Sequence, residues 1–263
     1  MAQVLSLANQ KGGVGKTTTS VNLAASLAAT RRKVLLIDLD PQGNATMGVG
    51  VDKHELKETI CDVLISDADA RSCVHRLENI GIDLLPANAD LTAAEVELMR
   101  ADGAQNRLKL AIDTIKEDYE YILIDCPPAL SMLTLNALVA SDAVIIPMQC
   151  EYYALEGLSQ LMDTINQVRA SVNPTLEVEG LLRTMYDPRN TLAKDVSDQL
   201  IEHFGDKVYR TVVPRNVRLA EAPSYGLPAL LYEKTSSGAL AYLALAGEML
   251  RRKSPSMMAG AAS

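Results

Sequence analysis

The chain has 263 residues, of which 48% are hydrophobic, so it is long enough to bury a large core. Its formal net charge is −8, so nucleic acid is not attracted to the molecule as a whole, and any DNA binding requires a local basic patch. Aromatic residues are scarce, with no Trp and one Phe, which argues against a single-strand binder that stacks bases.

Short apolar runs alternate with segments of helical periodicity along the chain. Continuous apolar runs are typical of strands that are buried on both faces of a sheet. The predicted strands are 4–8, 33–38, 82–87, 121–128, 143–148 and 178–186, and the predicted helices are 16–30, 91–117, 131–140, 154–171, 190–204 and 236–252. This order predicts an α/β fold with a mostly parallel, twisted sheet that is flanked by helices on both faces.

Residues 1–253 are predicted to form a single domain, since no linker rich in Gly, Pro or Ser interrupts them. Segment 41–80 is less regular and is expected to form a mobile flap over the edge of the sheet. The small, polar tail 254–263 is expected to be flexible. The four cysteines form no Cys-x-x-Cys pair and are interpreted as small buried thiols. No signal-like start or long apolar segment is present, which predicts a soluble cytoplasmic protein.

A glycine-rich turn separates the first predicted strand from the first predicted helix. It contains Gly15-Lys16-Thr17, the second half of a phosphate-binding pattern, but Gln10 replaces the first glycine of that pattern. Unpaired N–H groups at a helix start attract phosphate, and glycines allow close approach. Lys16 is predicted to reach the β- and γ-phosphates, and the Thr17 hydroxyl to hold Mg²⁺. The residues of this turn predicted to bind ATP are Lys11, Gly12, Gly13, Val14, Gly15, Lys16, Thr17 and Thr18.

A second lysine, Lys11, stands directly before Gly12-Gly13. The pattern Lys-Gly-Gly-x-Gly-Lys-[Ser/Thr] resembles the deviant Walker A motif of the ParA/MinD group of P-loop ATPases. The resemblance implies that Lys11 crosses a dimer interface and touches the nucleotide phosphates of the partner subunit. A second cation there would neutralise charge that develops during phosphoryl transfer, as an arginine finger does. The alternative is that Lys11 is a solvated loop cation.

Two apolar runs end in aspartates. KVLLIDLD ends with Asp38 and Asp40, which strand periodicity places on one face, and YILID ends with Asp125. Ligands of open parallel sheets bind beyond the carboxyl ends of the strands, so these carboxylates are expected near the phosphate loop. Asp38 and Asp125 are predicted to hold Mg²⁺ through bound water. Asp40 is predicted to orient the attacking water, a role that the resemblance also implies. Each aspartate alone is also typical of a helix cap or a turn.

The resemblance covers nearly the whole chain and is strongest to the chromosomal ParA/Soj subgroup. The segments that carry it beyond the phosphate loop are DLDPQGNAT (38–46), IDCPPALSMLTLNAL (124–138), MYDPRN (185–190) and VPRNVRLAEAPSYGLP (213–228). The resemblance also implies that Met185, Pro214 and Asn216 border the adenine of ATP.

One stretch of the C-terminal half is strongly basic. KVYRTVVPRNVR (207–218) contains four cations and no acid, and Arg183 and Arg189 lie shortly before it. Such a surface can contact the phosphates of duplex DNA without reading the sequence. The resemblance implies that Arg189 and Arg218 belong to the DNA-binding surface of an ATP-bound dimer, and Arg215 is predicted to join them. The alternative is a set of solvated cations with one or two salt bridges.

The resemblance implies a slow, Mg²⁺-dependent ATPase that partitions chromosomes or plasmids. Its ATP-bound homodimer would bind double-stranded DNA on the nucleoid, and a ParB-type centromere-binding protein would stimulate hydrolysis and release. Two alternatives stay open: a MinD-like, membrane-associated regulator of the division site, and a ParA-like ATPase that positions a protein cargo. The C-terminal RRKSPSMMAGAAS lacks an amphipathic apolar stripe, which argues against membrane attachment.

Overall fold

The computed structural model describes residues 2–253, so the tail 254–263 lies outside the described residues. The strands are β1 (Gln3–Leu7), β2 (Val34–Asp38), β3 (His75–Leu77), β4 (Ile82–Leu85), β5 (Tyr121–Asp125), β6 (Ala143–Gln149), β7 (Glu177–Tyr186) and β8 (Val208–Pro214). They form one sheet in the order β3-β4-β2-β5-β1-β6-β7-β8. Every neighbouring pair is parallel except β3 and β4. The predicted mostly parallel sheet is therefore confirmed.

Helices cover both faces of this sheet. The α-helices are α1 (Lys16–Ala29), α2 (Asn44–Gly48), α3 (Ile60–Ile65), α4 (Leu91–Leu98), α5 (Arg107–Ile115), α6 (Met132–Ala140), α7 (Ala154–Ser171), α8 (Thr191–Phe204), α9 (Val217–Glu221), α10 (Ala229–Tyr232) and α11 (Ser237–Lys253). Helices α3 to α8 pack on one face, and α1 packs with α2, α9, α10 and α11 on the other. In β2, Leu35 and Ile37 enter the first core, whereas Val34 and Leu36 enter the second. Burial on both faces explains the continuous apolar run.

Two predicted segments differ from the structure. The single helix predicted over 91–117 is divided into α4 and α5, because Gly103 adopts a left-handed conformation (φ +71°) between them. Segment 41–80, predicted as an irregular flap, contains α2, α3 and the antiparallel edge strand β3. Of the four free cysteines, only Cys61 is partly exposed. No helix within residues 2–253 is long and apolar enough to cross a bilayer.

Strand β8 forms one edge of the sheet and was not predicted from the sequence. Glu248 of α11 accepts hydrogen bonds from the backbone N–H groups of Arg210 and Thr211 (2.8 and 2.9 Å). Arg252 of α11 donates to the carbonyl oxygen of Val208 (3.0 Å). Helix α11 therefore satisfies backbone groups that an edge strand otherwise exposes for pairing.

The segment after α2 and the segment after α9 meet backbone to backbone. Gly50 (φ +88°) and Gly226 (φ +63°) both adopt left-handed conformations. A Cβ atom built on Gly226 would lie 2.6 Å from the Cα atom of Gly50. Only glycine can occupy these two positions without moving one of the two segments.

Candidate functional site

The phosphate loop joins β1 to α1 at the carboxyl edge of the sheet. Gly13 (φ +74°) and Gly15 (φ +87°) have backbone conformations that favour glycine. Gly15 caps α1 without a side-chain hydrogen bond, so the N–H groups of the first turn stay available to an anion. The predicted strand, turn and helix are thus present with the geometry of an anion site.

Two residues that the sequence prediction missed hold this loop in place. The Asn9 amide donates to the carbonyl oxygen of Pro147 (2.8 Å) and its oxygen accepts from the Lys11 N–H (3.0 Å). The Thr184 hydroxyl donates to the carbonyl oxygen of Val14 (2.7 Å). The contacts with Pro147 and from Thr184 join sequence-distant strands to the loop, so no local motif could reveal them.

The two lysines of the loop have different environments. Lys16 is only 7% exposed, and its ammonium group donates to the carbonyl oxygen of Lys11 (3.3 Å). Burial lowers the pKa of Lys16, and the nearby Asp125 carboxylate opposes that shift. The Lys11 ammonium instead forms an ion pair with Glu151, and the side chains of both residues are about half exposed. Lys16 is therefore part of its own pocket, whereas Lys11 lies at the surface.

Three aspartates meet beside the loop, as the strand ends predicted. Asp38 and Asp125 are fully buried and are register partners on β2 and β5. Asp38 accepts hydrogen bonds from the N–H and hydroxyl of Thr46 (both 2.8 Å) and from the Asp40 N–H (3.2 Å). The Ser20 hydroxyl donates to Oδ1 of Asp125 (2.8 Å). Oδ2 of Asp125 is buried and has no hydrogen-bond partner within the described chain.

Burial shifts the ionisation of this carboxylate pair. It raises the pKa of Asp38 to about 6, because the charged form is removed from water. Burial, together with repulsion from Asp38, raises the pKa of Asp125 to about 7, and hydrogen bonding from the hydroxyl groups of Thr17 and Ser20 opposes part of this shift. An unpaired buried oxygen on an acid of raised pKa fits a cation or a cation-bound water as its missing partner.

Asp40 lies further out, where the loop leaves the sheet. It is 9% exposed, and its Oδ1 accepts a hydrogen bond from the Gln42 N–H (2.9 Å). This is the local turn contact expected of an aspartate after a strand, and the other carboxylate oxygen, Oδ2, carries no such contact in residues 2–253. Asp40 is thus both a turn residue and a carboxylate close to the loop.

A cavity of about 180 Å³ opens next to the start of α1. Met185, Pro214 and Asn216, distant in sequence from the loop, line it together with Gly15 and Thr18. Met185 has a positive φ of +48°, an uncommon conformation for a residue with a side chain. The three residues that the resemblance assigned to adenine are therefore adjacent to the phosphate loop.

The predicted basic surface is only partly available. Arg189 forms a two-point ion pair with Asp187 (2.9 and 2.8 Å), and Arg218 pairs with Glu221 (2.7 Å). Arg215 is exposed and has no ion pair with any described residue. The stretch 207–218 thus contains a locally neutralised cation, Arg218, and two exposed cations, Arg210 and Arg215, that form no ion pair with a described residue.

Arg183, which lies close to this stretch in sequence, is buried and cannot belong to the surface. It is 7% exposed, and its guanidinium donates to the Ser197 hydroxyl (2.8 Å) and to the carbonyl oxygens of Tyr209 and Arg210 (2.8 and 3.3 Å). These contacts fall where the pairing of β7 with β8 is irregular. Arg183 therefore stabilises the irregular backbone of β8 at Tyr209 and Arg210.

The loop, its buried lysine and the facing carboxylates define a P-loop nucleotide-binding protein. A family model described as an AAA domain matches residues 2–178. The sporulation initiation inhibitor protein Soj of Bacillus subtilis is 51% identical over 249 residues, which are 95% of this chain and 98% of that protein. The chain belongs to the ParA/Soj family of ATPases, within the ParA/MinD superfamily, which confirms the resemblance.

Two further similarities extend over almost the full length. The chromosome partitioning protein ParA of Caulobacter vibrioides is 51% identical over 253 residues and is covered to 95%, as is this chain. A solved structure described as cobyrinic acid a,c-diamide synthase from Mycobacterium smegmatis, with a bound ATP analogue and magnesium, is 38% identical. Its TM-score is 0.85, and 97% of each chain is covered.

Proposed function

We propose that this protein is a Mg²⁺-dependent partition ATPase whose ATP-bound homodimer binds duplex DNA without sequence readout. Relatives named for chromosome partitioning support the biological role. The main observation in favour of a dimer is the contrast between the environments of the two lysines of the phosphate loop. Lys16 is buried in its own site, whereas Lys11 lies at the surface, where a neighbouring subunit can be reached.

The phosphate loop would hold the triphosphate of ATP. Backbone N–H groups from Gly12 to Thr18 surround it, and Lys16 supplies a cation from within the subunit. Met185, Pro214 and Asn216 would border the adenine, because their cavity adjoins the loop. The negatively charged phosphates of bound ATP would lie next to the Lys16 ammonium and offset the cost of burying its positive charge.

Thr17, Asp38 and Asp125 would hold magnesium beside the phosphates. The unpartnered oxygen of Asp125 fits this role, and both buried carboxylates suit contact through water. The magnesium-bound structure from Mycobacterium smegmatis supports the same cofactor here. The magnesium held by these residues would neutralise negative charge on the phosphates.

Asp40 would orient the attacking water, and Lys11 of the partner subunit would neutralise the developing charge. A site that needs a residue from a second subunit is incomplete in the monomer, so hydrolysis by the protein alone would be slow. A ParB-type centromere-binding protein would stimulate hydrolysis and so release the dimer from DNA. Arg189, Arg215 and Arg218 would contact phosphates, and the dimer doubles their number.

Retention on duplex DNA of arbitrary sequence tests this proposal. It is measured with ATP, with ADP and without nucleotide, each with and without a ParB-type protein and its DNA site. Retention is expected only with ATP and is expected to fall when the partner is added. Equal retention in all three nucleotide states would refute the proposed cycle.

Asp40→Ala separates binding from hydrolysis. The variant is expected to bind ATP and to accumulate as a dimer, because the attacking water is no longer oriented. Light scattering in ATP measures the dimer, with wild type in ADP as the monomer reference. A variant that stays monomeric in ATP would exclude this role for Asp40.

Sedimentation with liposomes tests the membrane alternative, and no cosedimentation is expected.

A further inference from the structure

A groove of about 940 Å³ runs along the free edge of β8, at the end of the strand opposite to the nucleotide site. It lies between the C-terminal ends of α8 and α11. Six basic and three acidic side chains line it, namely Arg183, Lys207, Arg210, Arg251, Arg252 and Lys253 with Glu179, Asp206 and Glu248. This local excess of positive charge contrasts with the formal net charge of −8 for the chain.

Not all of these charges are neutralised inside the protein. Glu248 already accepts two backbone N–H groups and pairs with Arg252 (2.8 Å), so it does not compensate the remaining cations. Arg210 and Arg251 are exposed and form no ion pair within residues 2–253. These two guanidinium groups are therefore available to an anion from outside.

A buried charge next to the groove has no carboxylate partner either. The hydrogen-bond acceptors of Arg183 are all neutral oxygens, its guanidinium lies over the Tyr186 ring (5.7 Å to the ring centre), and its Nε atom is buried without a hydrogen-bond partner in the described chain. A buried cation without an acid is costly, and an anion nearby reduces that cost. Arg183 is held by the bulge of β8, so its positive field is fixed at the wall of the groove.

We propose that this edge groove, with Arg210 and Arg251 as its phosphate contacts, extends the DNA-binding surface along β8. The inference rests on the proposed binding of duplex DNA. Strand β8 connects the groove to Arg215, which follows its last residue. From Lys207 to Arg215 the span is roughly 25 Å at ~3.3 Å per residue. A DNA strand winds around the duplex axis, so only some of the phosphates along this span face the protein, and the surface can contact a few of them.

The salt dependence of DNA binding tests the groove. The double variant Arg210→Gln/Arg251→Gln is compared with wild type and with Arg76→Gln/Arg100→Gln in the presence of ATP. The control removes two exposed cations from the other half of the sheet, so it makes the same change in net charge. The slope of log affinity against log salt measures the number of phosphates contacted.

For two lost contacts in each subunit of a dimer, the slope of the groove variant is expected to decrease in magnitude by about 3 to 4. The control is expected to keep the wild-type slope. Melting temperatures verify that each variant is folded. If wild type binds DNA in ATP and the groove variant keeps its slope, the groove is not a DNA contact. If wild type itself fails to bind DNA in ATP, the proposed function falls, and the groove assignment with it.

Discussion

Charged side chains cluster at the carboxyl edge of the sheet and at the edge strand β8, but they differ in solvent exposure between the two places. At the carboxyl edge, Lys16, Asp38 and Asp125 are buried and packed against the phosphate loop. At the β8 edge, Arg210 and Arg215 are exposed to solvent. Charge is worth more where water is excluded, so single substitutions should act strongly at the first edge and weakly at the second.

The largest effect is expected for Lys16→Ala. Removing a buried cation that is proposed to contact phosphate should weaken ATP binding by about 2–5 kcal/mol, or at least about thirtyfold. Titration with a fluorescent ATP analogue measures this loss. Lys33→Ala, at an exposed lysine before β2, is the control and should bind ATP like wild type. If both variants bound ATP with equal affinity, Lys16 would not be part of the ATP-binding site.

Asp125→Asn should stabilise the nucleotide-free protein by at most about 1–3 kcal/mol at pH 8, because it removes a buried charge of which one oxygen has no hydrogen-bond partner in the described chain. The loss of its attraction to the Lys16 ammonium reduces this gain. The pKa of Asp125 is raised to about 7 by burial, so its carboxyl contributes stability at low pH that is lost as the pH rises through about 7. Denaturant unfolding at pH 5 and pH 8 should therefore show a smaller difference for the variant than for wild type.

Asp38→Asn is the matched control for that experiment. Both oxygens of Asp38 accept hydrogen bonds from N–H or hydroxyl groups, and an amide retains only one acceptor. No comparable gain in stability is expected from this variant. If Asp38→Asn raised the free energy of unfolding as much as Asp125→Asn, the unpaired Oδ2 atom of Asp125 would not be the cause of the stabilisation.

At the other edge, Arg215→Glu and Arg218→Glu should each weaken DNA retention without affecting the ATP-dependent dimer. Each lost phosphate contact lowers the salt slope by about 0.9, or by about 2 for a dimer. Arg218 pairs with Glu221, whereas Arg215 has no acidic partner in the described chain, so Arg215→Glu should have the larger effect. Unchanged retention in both variants would discard the assignment of this surface to DNA.

The smallest effect is expected for Glu151→Gln. This change removes the ion pair that holds Lys11 in its own subunit, and an exposed pair contributes about 0.2–1 kcal/mol. Two such pairs would break in a dimer, so ATP-dependent dimerisation should tighten by about two- to thirtyfold. Sedimentation in ATP measures it, with Glu156→Gln on α7 as control. Weaker dimerisation would mean that Glu151 acts within the dimer instead.

The difference between the two edges also explains what the sequence could predict. The phosphate loop, Asp38 and Asp125 follow apolar runs directly, and local spacing is sufficient to place them at one edge of a parallel sheet. The sheet and most helices follow from the same periodicity. Asn9 and Ser20 were missed because their roles depend on contacts with Pro147 and Asp125, far away in sequence.

At the β8 edge, sequence alone fails for a related reason. A run of cations gives no information about which of them meets an acid in the fold. Arg183 is buried and Arg189 is paired, whereas Arg215 is neither. Strand β8 was itself hidden, because its basic and polar residues interrupt the apolar run that identifies the central strands.

The backbone contact between Gly50 and Gly226 has a mechanical consequence. Gly50 lies two residues after the end of α2, on the segment that continues from Asp40, and Gly226 lies on the segment that follows Arg218 and α9. No side chain separates the two backbones at this contact, and a Cβ atom on Gly226 has no room beside Gly50. Any substitution of Gly226 must therefore push the two segments apart, so this contact ties the position of the segment after Asp40 to that of the segment after Arg218.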